Sequence, residues 1–124
     1  MATQTQHAPL SRLVLRPSSG QTADDGAWWP SSRRLGEQLV GLFSVWPEAK
    51  GRIVRVLYSP PDWDDRPRAV AIPGRGRVKT GSFPHDDRQR LVLTVLNGHR
   101  YIVAVIPPDT NEELALDLLT RAGA

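Results

Sequence analysis

The 124-residue sequence predicts a single α+β domain: one N-terminal strand, a helix, a bent antiparallel sheet or partial barrel of about five strands, and a C-terminal helix. Three observations carry that prediction. Apolar residues recur at helical spacing between Leu35 and Trp46, and again between Leu114 and Ala122. From Ile53 onward the apolar period falls to two. Asn97-Gly98 joins two β-rich runs, the preferred setting of a tight hairpin turn.

Residues 1–11 are polar and are expected to form a disordered tail ahead of a domain over 12–124. Arg12-Leu-Val-Leu-Arg16 is a short apolar run stopped by Pro17, a first strand. Ser18 to Gly26 has loop composition. Ser31 or Ser32 is placed to cap the first helix, a hydroxyl accepting from an unpaired N–H of the first turn. Leu35, Leu39, Leu42, Phe43 and Trp46 form its apolar face, and Pro47 and Gly51 limit its far end. Ile53 to Tyr58 is a strand. Pro60 to Pro67 is an irregular loop, because three prolines cannot sustain a ladder. Arg68 to Ile72 and Arg77 to Phe83 read as a pair of strands about the Pro73-Gly-Arg-Gly76 turn, followed by a loop at 84–87.

A two-residue Asn97-Gly98 turn sets a register for the last hairpin. It pairs Val95 with Arg100, Leu93 with Ile102 and Leu91 with Ala104 on one face, and Thr94 with Tyr101 and Val92 with Val103 on the other. Both faces are mostly apolar, so both need a cover. The first helix supplies one; a second helix, a closing barrel or another protomer supplies the other. Pro107-Pro108 ends the hairpin. Thr110-Asn-Glu-Glu113 then matches a capping box, opening a helix with Leu114, Ala115, Leu118, Leu119 and Ala122 on its face and Gly123 as its stop.

Composition narrows the chemistry. Hydrophobic residues at 40% and charged residues at 23% fit a globular chain. With no Cys, disulfide frameworks, thiolate zinc sites and a cysteine nucleophile are excluded. The apolar runs Leu91–Leu96 and Tyr101–Ile106 are too short to cross a bilayer, and the first dozen residues hold no signal-peptide core. A cytoplasmic protein is the expectation. The net charge is +3, and Arg supplies all the bases except Lys50 and Lys79. Arg suits a bidentate grip on phosphate or carboxylate, yet an Arg excess beside abundant Ala, Gly and Pro is also what GC-rich coding writes.

Catalytic signatures are missing. There is no G-x-S-x-G elbow, and Gly74-Arg-Gly76 lacks the rest of a phosphate loop. His7, His85 and His99 are far apart with no metal-ligand spacing, so neither a metal nor another cofactor is expected. Asp62, Asp64 and Asp65 cluster, as do Asp86 and Asp87, and their ordinary fate is solvation or pairing with nearby arginines. Enzymatic activity would require Asp24, Asp25, Asp64 or His85 to converge in a pocket.

Two groups of residues are candidates for binding. Trp28, Trp29 and Trp63 lie in loop-like sequence, where Trp either packs over a core edge or anchors a partner. Between Arg52 and Ile106 there are nine Arg and Lys79 against five acids. Arg75, Arg77 and Lys79 alternate on one strand face, with Arg52, Arg55 and Arg90 nearby. A basic hairpin of this kind could track a phosphate backbone; the same pattern also guards an edge strand against unwanted pairing.

The chain resembles a family of small, uncharacterised actinobacterial domains. The matching residues are Asp25-Gly-Ala-Trp-Trp-Pro30 with Ser32-Arg33, then Tyr58, Asp62-Trp63-Asp64, Pro67-Arg68, Gly81-Ser-Phe83 and Ile106-Pro-Pro-Asp-Thr110. They span roughly residues 12 to 120. The resemblance implies one domain and an actinobacterial source, and carries over no activity. A lesser likeness, in order of elements only, is to Sm-like barrels. The functional expectation is therefore a non-catalytic binding or regulatory module acting through protein contacts, itself a homodimer, with a nucleic-acid-associated protein using the Arg-rich hairpin as the alternative.

Overall fold

The computed structural model describes residues 12–16, 24–72, 76–83 and 88–123. The expected tail at 1–11, the turn at 73–75 with Arg75, and the loop at 84–87 with His85, Asp86 and Asp87 lie outside the described residues. Within them the fold is α+β. Seven strands form one open sheet: β1 (Leu13–Leu15), β2 (Gly26–Trp28), β3 (Ile53–Tyr58), β4 (Ala69–Ile72), β5 (Gly76–Ser82), β6 (Arg90–Val95) and β7 (Arg100–Val105). Two helices, α1 (Leu35–Val45) and α2 (Glu112–Ala122), flank it. No helix among the described residues is long and apolar enough to cross a membrane.

The sheet is mixed, and in this it departs from the antiparallel sheet or partial barrel of about five strands. Its order is β1-β2-β7-β6-β3-β5-β4. After β3 the 60–67 loop carries the chain past the neighbouring position, so β4 forms the outer edge and β5 returns parallel to β3. At the other end Gly26, the last residue of the predicted 18–26 loop, opens a short strand, parallel to β7 and antiparallel to β1, while residues 18–23 of that loop lie outside the described residues. Asp25 explains how so short a strand holds. Its backbone N–H donates to the Ile102 carbonyl at 2.7 Å, and its carboxylate accepts from the Ile102 N–H at 2.8 Å. A Cβ at Gly26 would collide with the Val14 carbonyl oxygen, so only glycine lets β1 close on β2.

Alternation along the strands sorts the core into two layers. Trp28, Val103, Val105, Leu91, Leu93, Val95, Val56, Tyr58 and Val78 meet Leu35, Leu39 and Leu42 of α1 on the front face. Ala27 and Ile106 meet Ala115 and Leu119 of α2 on the back, with Val14, Trp29 and Ala104 packed alongside. The second cover is therefore a helix, but α2 packs on β1 and β2 at one end of the sheet.

Both helix caps differ from expectation. Neither Ser31 nor Ser32 caps α1; the carboxylate of Asp65 does so, accepting from the N–H groups of Leu35 at 2.6 Å and Gly36 at 3.0 Å. The cap of α2 is Asn111 rather than Thr110, its side chain accepting from the Leu114 N–H at 2.9 Å.

The hairpin turn is one residue longer than the two-residue form. The Val95 carbonyl accepts from the Gly98 N–H, the Val95 N–H donates to the His99 carbonyl, and Gly98 has a φ of 95°. This is a turn closed by a left-handed glycine, with a three-residue loop. The register slips accordingly: Leu91 pairs with Val103, Leu93 with Tyr101, Val92 with Ile102 and Thr94 with Arg100. A one-residue slip turns every side chain of a strand to the other face. Tyr101, Val103 and Val105 thus join the core, and Arg100 and Ile102 move to the back.

Candidate binding surface

The tryptophans are placed by the 60–67 loop. Trp63 is 2% exposed and Trp28 4%, and their rings stack with centroids 5.7 Å apart. Burial leaves neither with a face to present to a partner. Trp29 is half-buried under the Arg12 guanidinium, which sits 4.0 Å from its ring and donates to the carbonyls of Trp29 at 2.7 Å and Pro30 at 2.9 Å. Partial burial lowers the Arg12 pKa. Trp46, as the helical spacing implied, is core; its Nε1 donates to the Gly51 carbonyl and its ring meets Tyr101 edge-on.

Asp24 and the three aspartates of the 60–67 loop likewise have structural partners. Asp62 accepts from the Gln89 N–H, where the backbone turns through a positive φ, and lies 3.9 Å from Arg88. Asp64 pairs with Arg33 at 2.9 Å, and Arg33 also donates to the Pro61 carbonyl. Asp65 caps α1. Asp24 pairs with Arg90 at 3.4 Å. Asp24 and Asp25 stand together before β2 and Asp64 lies in the 60–67 loop, each held by a partner of its own. Among the described residues no group of three His, Asp or Glu could hold a metal ion. Burial also raises the Tyr58 pKa, with Arg66 opposing and Asp65 adding to the shift.

The basic residues behave differently. The pairings Arg100–Thr94, Thr94–Arg55 and Arg55–Lys79 set three cations in one row across β7, β6, β3 and β5, all on the back face. Arg77 lies one pleat further along β5, opposite Ala71. All four are exposed, and among the described residues none has an ion-pair partner. Arg55 and Lys79 are direct cross-strand neighbours, and like charges so placed repel. Lys79 is paired on both sides, with Arg55 and with Ala69, so edge protection does not account for its charge; the edge strands are β1 and β4.

Beside this row runs an apolar one, Ile102, Val92, Leu57 and Gly81, with Ile102 40% exposed. Of the predicted basic set, the structure brings Arg55, Arg77 and Lys79 together. Arg90 shares the face but stands at the far end of β6 against Asp24, and Arg52 precedes β3, where its carbonyl accepts from the Leu96 N–H. Arg100 was absent from the predicted set. Its signal is the turn length, because the two-residue register puts Arg100 on the core face.

Compared with curated proteins and with solved structures, the chain matches none. A family model does match it, over residues 12–122, which spans every described strand and both described helices. The chain belongs to that family, a family of unknown function (DUF5994).

Proposed function

We propose that the protein is a non-catalytic binding module acting through protein contacts, and that its working surface is the open back face of β7, β6, β3 and β5. The observation that carries this reading is the row of Arg100, Arg55 and Lys79 beside exposed Ile102, cations without an ion-pair partner among the described residues and next to an aliphatic row. A surface that mixes exposed aliphatic side chains with unpaired guanidinium groups suits an acidic, amphipathic protein segment. The family motifs support the reading indirectly. Asp25, Trp28, Asp62, Trp63 and Asp64 are committed to holding the fold, which leaves the back face as the surface with unassigned chemistry.

The alternative, a nucleic-acid-associated protein, shares the cations. Among the described residues the row beside the cations, Ile102, Val92, Leu57 and Gly81, offers no aromatic ring on which a base could stack, and Tyr101 packs against the core. One titration separates the two readings. Anisotropy is measured for a labelled amphipathic Glu/Leu peptide, a duplex DNA and a single-stranded RNA, at about 50 and about 200 mM salt. The expected result is micromolar peptide binding that is lost in Arg55→Glu/Lys79→Glu, with thermal stability nearly unchanged. Nucleic-acid binding that falls steeply with salt, or no binding of any probe, overturns the proposal.

A further inference from the structure

The back layer of the molecule is half filled. Helix α2 lies over β1 and β2 and its cluster reaches Ala104 of β7; among the described residues no other helix packs on the back of β7, β6, β3 and β5. Four strands in that stretch span about 14 Å between their outer axes. An α-helix with its side chains is about 10 Å across, and one of 11 residues is about 16 Å long. One further helix fits the gap.

Helix α2 itself is incompletely covered. Ala115 and Leu119 face its own sheet. Leu114 and Leu118 lie one position back, about 100° round the helix, and are 47% and 37% exposed. Glu113 and Asp117 lie two positions back, about 200° round, on the side away from the sheet. Glu112 joins Glu113 in the first turn, and Arg121 is committed to Asp117 at 3.0 Å. The outer side of α2 is therefore acidic with an apolar flank, whereas the open sheet is basic with an apolar row.

We propose that α2 of a second copy of this chain occupies the open half of the sheet, reciprocally about a two-fold axis; this rests on the reading of that face as a protein-contact surface. A two-fold axis places the same patch of each protomer in contact. Direct sheet-on-sheet stacking would oppose two rows of like cations. With the helices interposed, each acidic helix meets the partner's basic row, and the two Leu114/Leu118 flanks meet each other at the axis. Both uncovered surfaces are then buried by the same contact, with opposite charges facing.

Sedimentation equilibrium of the full chain tests this with two charge-reversed variants, Arg55→Glu/Lys79→Glu on the sheet and Glu113→Lys/Asp117→Lys on the helix. The expected parent mass is twice the 13.7 kDa of one chain at micromolar concentration. Each variant alone is expected to dissociate about tenfold or more readily, as like charges now face across the contact. An equimolar mixture of the two is expected to regain the dimer, because each reversed helix meets the reversed sheet of the other chain. If the reversed helix melts early, Glu113→Gln/Asp117→Asn is expected to weaken the dimer without that defect.

A parent that stays monomeric overturns the proposal, as does a dimer insensitive to both reversals or a mixture that fails to reassociate. A monomer that still takes the Glu/Leu peptide excludes the second copy and leaves the contact surface standing. A monomer that takes neither the peptide nor another copy overturns both readings.

Discussion

Trp63 illustrates how a loop residue becomes core. The prolines around it forbid a ladder, yet Asp62, Asp64 and Asp65 tie the loop to Gln89, Arg33 and the start of α1. The indole between them is thereby pressed onto Trp28. Replacing Trp63 by Ala is expected to cost about 3–5 kcal/mol of unfolding free energy in urea titration, the range for deleting a buried large aromatic. A partner-binding indole in a loop would have left stability nearly unchanged. Tyr58 gives a second prediction at this scale. Burial holds its pKa above the ordinary 10, so the folded state retains a proton that the unfolded state would release. Its contribution is intact below about pH 10 and is lost as pH rises through the folded value. Relative to Tyr58→Phe, the parent is expected to lose urea stability between about pH 9 and about pH 11, and parallel curves would refute this.

At the scale of elements, the two helices show why caps are hard to place. Ser31, Ser32 and Thr110 have the right chemistry and nearly the right positions, and none is the N-cap. For α2 the correction is a shift of one residue to Asn111, within ordinary boundary uncertainty. For α1 the acceptor comes from Asp65, which closes on the helix only once the 60–67 loop has folded back. Asp65→Ala is expected to cost about 0.5–2 kcal/mol, measured by chemical denaturation, with Asp65→Asn recovering part of it. The strands were more legible. Ile53–Tyr58 agrees with its predicted bounds, and β4 and β5 agree to within a residue. Both are announced by β-branched runs between Gly and Pro. β2 was illegible, because Gly26-Ala-Trp28 has no β-rich run of its own and becomes a strand through Asp25 and its neighbours.

At the scale of the whole molecule, sheet order decides what the surface can do. The parallel return of β5 beside β3 puts Lys79 next to Arg55, and the longer turn puts Arg100 in the same row. Neither neighbour is close in sequence. The fold tolerates their repulsion on a face that no helix covers among the described residues, the face proposed above to meet an acidic partner. The Arg55→Glu/Lys79→Glu variant is therefore expected to lose its peptide and self-association, and to melt with the parent at concentrations low enough for both to be monomeric, a separation that a purely structural role for these residues would not produce.

The sequence alone determined the fold class, the two described helices, the core face of α1, the presence of the last hairpin's two strands, and the absence of cysteine chemistry. These depend on periodicity and residue type, which act over a few residues. Tertiary structure alone decided the mixed strand order, the burial of Trp28 and Trp63, the Asp65 cap and the membership of the basic row. Each depends on contacts between residues distant in the chain, or on a one-residue choice of turn whose consequence appears only when the opposite strand is in place.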